Sequence, residues 1–461
     1  MSARKKNLCL RRCCAALTCT LTLSTGYAHE TSDPFGTRLP GESGYSCEEI
    51  NINRTLDLAD VVNGVLCNNP QTREVWANSR AQAAQTGVSQ AGYLPTVSAT
   101  GTGTQNTPGI TQRTLGVTLS YLLYDFGARA ANLENAQQLL ASLNASRDST
   151  VQTLFLTAVQ AYYQAQATRA ALDAAAAAER AAQESFALAN ARHLAGSATP
   201  ADKLTAQTAY SQSTLNRISA TGAMKIARGN LASLLGLDAH INILLSEARP
   251  PLPNQETSDA ELEQSITALI EQARHNRPDL KAAEATLRAA EAAAEAARAA
   301  GKPTVSLNAN SNQSNSAGIN THGSSLGVSM NVPLFSGYAP TYRISAALAQ
   351  IDGKKAQLER LRLQVALDVW TACQNLLTAT RNLRATADLV NSAEQSERMA
   401  LGRYRAGAGI MLDVLNAQNT LYSANQQRIQ AIFNWNIGRA TLAQATGNLN
   451  EGSLQPGDQS K

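Results

Sequence analysis

Aromatic side chains are scarce in this 461-residue chain, at 5%, and charged ones make up only 16%. A length that would serve two or three ordinary domains is thus poorly supplied for large compact cores, and long helices packed through small residues suit it better. No run beyond the N-terminal stretch approaches the roughly 20 apolar residues of a membrane-spanning helix, so any membrane crossing falls to strands. An excess of one charge is missing too. Of 39 Lys and Arg, five (Arg4, Lys5, Lys6, Arg11 and Arg12) precede residue 28, and without them 34 basic side chains face 35 acidic ones. No basic stripe remains, which argues against a nucleic-acid partner. The five histidines, His29, His193, His240, His275 and His322, are scattered singly. That is a poor supply for a metal centre, and no cofactor is expected.

Residues 1–28 read as a signal peptide: a basic start, an apolar stretch from about Cys13 to Leu23, and small residues before a cut after Ala28. Cys19 raises the thought of a lipoprotein, but Ala16, Leu17 and Thr18 before it fit that poorly. Outside the leader stand Cys47, Cys67 and Cys373. In an oxidising compartment Cys47 and Cys67 are the natural disulfide pair, closing a loop of about 20 residues worth roughly 3 kcal/mol in the chain-entropy model. A metal site is the rival reading of that pair, and Cys373 is expected as a buried thiol. Thr55 is the expected cap of the first helix.

What the sequence does have is a second copy of itself. "NNP" at Asn68 is echoed by "NRP" at Asn276, "LPTVS" at Leu94 by "KPTVS" at Lys302, "LGVTLSYLLYDFG" at Leu115 by "LGVSMNVPLFSG" at Leu326, and "RHLAGSATPADKLTAQ" at Arg192 by "RYRAGAGIMLDVLNAQ" at Arg403. Four landmarks in one order, 208 to 211 residues apart, define two units, 68–236 and 276–447. Residues 29–67 form an N-terminal extension with a first helix, 237–275 a linker, and 448–461 a disordered tail.

Each unit reads helix, strand, strand, very long helix, Gly-containing turn, helix. Strands are expected at about 95–104, 114–125, 303–312 and 324–335. In the second of them Leu115, Val117, Leu119, Tyr121 and Leu123 share one face and Gly116, Thr118 and Ser120 the other. The return strands end in Tyr124 and Phe126, or Phe335 and Tyr338, where an interfacial aromatic girdle belongs. The long helices are expected from about Arg129 to Leu194 and Pro340 to Arg403, some 100 Å each at about 1.5 Å per residue. Their apolar stripes are Val151, Leu154, Phe155, Ala158, Val159, Tyr162 and Tyr163 in one, and Leu363, Ala366, Leu367, Trp370, Cys373 and Leu377 in the other. Four strands cannot close a barrel in lipid without unpaired edges, so at least two chains must share one.

The double layout, the "PLFSG" strand end and above all "RYRAGAGIMLDVLNAQNTLYSANQ" from Arg403 to Gln426 resemble the TolC family of outer-membrane exit ducts. The resemblance implies a mainly α protein with a membrane β-barrel: a homotrimer whose twelve-stranded barrel, set in outer-membrane lipid, continues into an α-helical tunnel across the periplasm. It implies docking, through a periplasmic adaptor (membrane fusion) protein, to an inner-membrane ABC or proton-driven transporter, for type I protein secretion or small-molecule efflux. The linker, with "RPPLPNQE" and a short helix around Leu262 to Ala273, resembles an equatorial strap.

At the periplasmic turns, Gly196 to Ala201 and Gly407 to Leu412, the resemblance places a constriction. Asp413 matches the first acid of the family's ring, while Asn416 stands where a second acid is expected, so the ring carries about half the usual charge. Gly409 replaces a basic residue that helps hold the family's mouth shut. Tyr404, hydrogen-bonded to Asp202, is left as the candidate latch, with a simple helix cap as the competing role for Asp202. Two rival classes compete with the duct. "GSSLG" at Gly323 matches a nucleophile pattern but lies in a strand with no following helix, and no enzyme is expected. A soluble periplasmic coiled-coil adaptor or scaffold would keep the helices but has no use for two strand pairs with aromatic ends.

Overall fold

The computed structural model describes residues 54–107, 109–246 and 266–449. The leader, the extension as far as residue 53 with Cys47, the "RPPLPNQE" segment and most of the tail lie outside the described residues. Twelve elements follow in order: α1 (Leu58–Asn68), α2 (Pro70–Ala91), β1 (Thr96–Asn106), β2 (Ile110–Tyr124), α3 (Ala128–Leu194), α4 (Pro200–Leu234), α5 (Ile266–Asn276), α6 (Pro278–Ala299), β3 (Thr304–Ser316), β4 (Ile319–Asn331), α7 (Ala339–Arg405) and α8 (Met411–Ala445). The two units match in helix length, with 11, 22, 67 and 35 residues in each. No described helix is long and apolar enough to cross a membrane.

Local chemistry sets the helix starts. Pro70, Pro200 and Pro278 each occupy a first helical position, where a missing N–H costs nothing. The cap of α1 is Asp57, not Thr55: its carboxylate accepts from Asp60 N–H while the Asp60 carboxylate accepts from Asp57 N–H. A reciprocal pair satisfies two end donors where a lone threonine would satisfy one.

Short helices stack end to end at mid-height. Asn69, which caps α2, also donates its side-chain amide to Leu234 at the end of α4, so α4 and α2 form one broken column. Asn276 and Asn448 bond at 2.9 Å across the equivalent joint between α8 and α6. A glycine closes each joint: Gly236 (φ +74°) and Gly447 (φ +75°) lie where a Cβ would stand 3.0 Å from Asn68 O and from Arg277 N. Around these joints sit the two largest cores. One gathers Leu56, Val61, Val65, Phe155, Val159, Tyr162, Leu231 and Ile243, and the other Ala273, Leu280, Leu358, Val365 and Val369. Leu56 bridges to Leu245, so the described start of the linker hugs this level, and its helix, α5, runs to Asn276 rather than stopping at Ala273.

The stripe expected on α3 is the buried one: Leu154, Phe155, Ala158, Val159 and Tyr162 are all buried. The stripe expected on α7 splits. Cys373 and Leu377 face the core with Leu358, Val365 and Val369, whereas Leu363, Leu367 and Trp370 are 50% exposed or more. This helix is apolar on two faces, and the single chain covers one of them.

The strands form one antiparallel sheet in the order β1-β2-β3-β4. They run further than expected. β1 and β2 close on three residues and β3 and β4 on the two-residue turn Ala317–Gly318, both with φ above +50°. The polar tips expected as loops are strand, because Thr and Asn satisfy a ladder in water as well as in a membrane. A register shift between Leu122 and Tyr124 marks a bulge that brings Tyr124 opposite Val305, onto the apolar face.

Candidate functional site: barrel lining and channel entrance

Register sorts the sheet into two unlike faces. Opposed residues share a face, giving rows such as Val97–Leu119–Ala309–Leu326 and Tyr121–Leu307–Val328 on one side, and Ser98–Thr118–Asn310–Ser325 and Thr100–Gly116–Asn312–Gly323 on the other. The apolar side is exposed in the single chain, with Val117 50%, Val328 66% and Leu326 74% exposed. The polar side is laced across strands: Ser120 Oγ donates to Asn308 Oδ1 at 3.0 Å, Asn308 Nδ2 to Ser329 Oγ at 2.9 Å, and Thr114 Oγ1 to Ser314 Oγ at 3.2 Å. Its register positions hold Ser, Thr, Asn, Gln, Gly, Ile110, Leu122 and Ile319. The one formally charged strand residue, Arg113, lies on the other face.

Below the apolar rows, the aromatic residues pair up. Tyr124 and Phe126 meet edge to face at 4.7 Å, and Phe335 and Tyr338 at 5.6 Å. All four are 41% exposed or more. Phe126 and Tyr338 both take left-handed backbone (φ +53° and +62°) where strand turns into long helix. In the first unit Asp125, 7% exposed, holds this corner. Its carboxylate accepts from Gly127 N–H, from Arg129 N–H and from Arg129 Nε at 3.0 Å, and Arg129 also lies over the Tyr93 ring. Reading the sequence missed this pair, although Asp four residues before Arg at a helix start was the available signal.

At the opposite end, some 100 Å away along α3 and α7, the two helical hairpins turn. Asp413 is the third residue of α8 and, with Asn416 one turn on, lies on an exposed face opposite buried Met411, Val414 and Leu415. Ile410 precedes this helix and offers no side-chain cap. Asp202 holds the same position in α4 but is used differently: Thr199 N–H and Oγ1–H donate to its carboxylate at 3.1 and 2.8 Å in a capping box. The expected Tyr404–Asp202 hydrogen bond is therefore absent. Asp202 is committed to its cap, and the Tyr404 hydroxyl is buried without a hydrogen-bond partner. Tyr404 instead packs with Ala189, Ala206, Met411, Val414 and Leu415. The structure thus brings Asp413 and Asn416 together and separates the chemistry of Tyr404 from that of Asp202. Cys67, in the last turn of α1, is disulfide-bonded, and Cys373 is a buried thiol of α7.

An open four-stranded sheet with one apolar face, carried on two 67-residue helices, is what a shared membrane barrel on a helical tunnel requires. The model of the family described as outer membrane efflux protein matches residues 61–237 and 269–448. This chain belongs to that family. Protein CyaE of Bordetella pertussis is 32% identical over 414 residues, covering 87% of this chain and 85% of that one. The probable efflux pump outer membrane protein TtgC of Pseudomonas putida is 28% identical over 81% of this chain and 79% of its own. The proteases secretion protein PrtF of Dickeya chrysanthemi is 24% identical over 86% and 89%. A solved membrane protein from Pseudomonas aeruginosa superposes with a TM-score of 0.75 at 25% identity, over 85% of this chain and 93% of that one. This outer membrane efflux protein is accordingly an outer-membrane channel with its helices extending into the periplasm, and the scaffold reading falls away.

Proposed function

We propose that three copies of the chain close one twelve-stranded barrel, and that the resulting duct receives cargo from an inner-membrane transporter through a periplasmic adaptor. The open sheet carries this reading. β1 and β4 each end the sheet with one side unpaired, and unpaired backbone groups do not survive in lipid. Exposed Leu363, Leu367 and Trp370 on α7, with Leu215, Ile218 and Ile226 on α4, supply apolar surface for the neighbouring copies. The polar face becomes the lumen, and Tyr124, Phe126, Phe335 and Tyr338 become the girdle on the periplasmic side.

In this assembly the turn end is the entrance, and symmetry gathers three Asp413 carboxylates around it, with Asn416 adding polarity and no charge. Clustered carboxylates attract cations, so the entrance prefers them. Cys47 is the proposed partner of Cys67, tying the N-terminal extension to α1. For cargo, a polypeptide is the favoured reading, since a lumen of hydroxyls and amides offers a passing chain no ion pairs to stall on. PrtF, matched over nearly the whole chain, is named for protein secretion; TtgC, named for an efflux pump, supports the second reading. In a strain lacking its own duct, co-expression with an ABC exporter and adaptor is expected to restore secretion of a polypeptide. Restored drug resistance with a proton-driven pump, and no secretion, would favour efflux.

A further inference from the structure

We propose that Arg192 is the positioning residue that clamps the two helical hairpins of one protomer together at the entrance, by gripping Tyr404. This rests on the reading of the turn end as the entrance. Arg192 lies in the last turn of α3, yet its guanidinium leaves that helix for the last turn of α7. Its Nη1 donates to the Tyr404 carbonyl oxygen at 2.7 Å, and its guanidinium carbon stands 4.7 Å from the Tyr404 ring centroid. One side chain thus adds a charge-assisted hydrogen bond to a helix-end carbonyl that also accepts from Gly407 N–H at 3.0 Å, and stacks on an aromatic face, which a planar guanidinium can do at once and an ammonium cannot.

The surroundings fit that grip. The Tyr404 ring is 4% exposed, wedged among residues of α3, α4 and α8. Gly407 (φ +77°) supplies the left-handed backbone of the turn beside this contact, and a Cβ there would stand 3.4 Å from an Arg192 nitrogen, at ordinary contact distance. Arg403, the repeat-equivalent of Arg192, makes no such crossing and reaches only the Ala408 carbonyl of its own turn. The clamp is therefore one-sided. Among the described residues, the other polar tie between the two hairpins near the entrance, Gln418 of α8 to Ser185 Oγ and to Ala181 O of α3, lies two turns or more further from the tip. A hairpin swinging outward about that tie moves most at its end, where Arg192 and Tyr404 must part. The Tyr404 hydroxyl has no hydrogen bond to lose in that motion; the ring and the backbone carbonyl carry the contact.

Planar-bilayer recordings of the assembled full chain test this. Arg192→Ala is expected to raise the open-to-closed ratio roughly tenfold, the scale of one lost charge-assisted contact. Arg192→Lys should raise it less, Tyr404→Phe should match the wild type, and Tyr404→Leu should open the duct with no further gain in the double variant with Arg192→Ala. Wild-type gating in both Arg192 variants overturns the clamp, as does Tyr404→Phe opening as far as Arg192→Ala. If Arg192→Ala fails to assemble, Arg192→Lys decides, and wild-type gating there overturns the proposal. Asp413→Asn recorded alongside separates the two ideas: altered selectivity there with silent Arg192 variants sinks the clamp alone, and silence at both sinks the clamp and the entrance reading together.

Discussion

Asp125 sits where a strand becomes a 67-residue helix, and its charge is balanced by Arg129 with side-chain exposures of 9% and 16%. Replacing Arg129 by Met leaves that carboxylate buried and unpaired. The expected cost is about 3–5 kcal/mol, read as a lower denaturation midpoint of the assembled protein. The two entrance acids divide differently. Asp202→Ala removes a capping-box partner and should cost about 1 kcal/mol without altering ion selectivity. Asp413→Asn should leave stability nearly unchanged and reduce cation preference and block by multivalent cations in bilayer recordings. Much of this was legible: "TPAD" spells a capping box, and "IMLD" places the same acid with no cap to join. Arg192 was not legible, since its role depends on which hairpin packs beside it, and its equivalent Arg403 stands at the same distance before an Ala-Gly turn and has a different partner.

Among the elements, alternation foretold the faces of β2 as far as Tyr121 and could not foretell the bulge that follows, since a one-residue slip leaves no mark on composition. Strand ends were underestimated because Gly- and Thr-rich tips read as loops until a partner strand is supplied. The α7 stripe was misassigned for a related reason: a helix apolar on two faces does not say which face its own chain covers. The face assignment predicts that Val117→Arg and Val328→Arg cost about 2–4 kcal/mol each if near the bilayer midplane, with Ser120→Arg milder. Refolding titrations into lipid vesicles measure this, and equal costs at all three would refute it. The α3–α4 coiled coil adds a pH dependence. The Glu179 carboxyl is held below its ordinary value by a hydrogen bond from Thr214, opposed by burial and reinforced by Arg217. A depressed pKa adds stability that is full above the ordinary value of 4.5 and is lost as pH falls through the lower folded value. Glu179→Gln should flatten that part of the acid unfolding curve.

At the scale of the whole molecule, one chain is an incomplete object: a sheet open at β1 and β4 and helices with uncovered apolar faces. The duplicated sequence made the architecture legible, because two matching units imply matching helices and two hairpins in one sheet. The number of copies is not written in any residue. Two would give eight strands, the smallest barrel that hydrogen bonding allows, and the family resemblance selects three. Native mass spectrometry of the mature protein, released from detergent micelles without crosslinking, tests this most directly. A single species of three chains is predicted; a stable monomer as the sole species would contradict the shared barrel on which the duct depends, and a stable dimer would contradict its twelve strands.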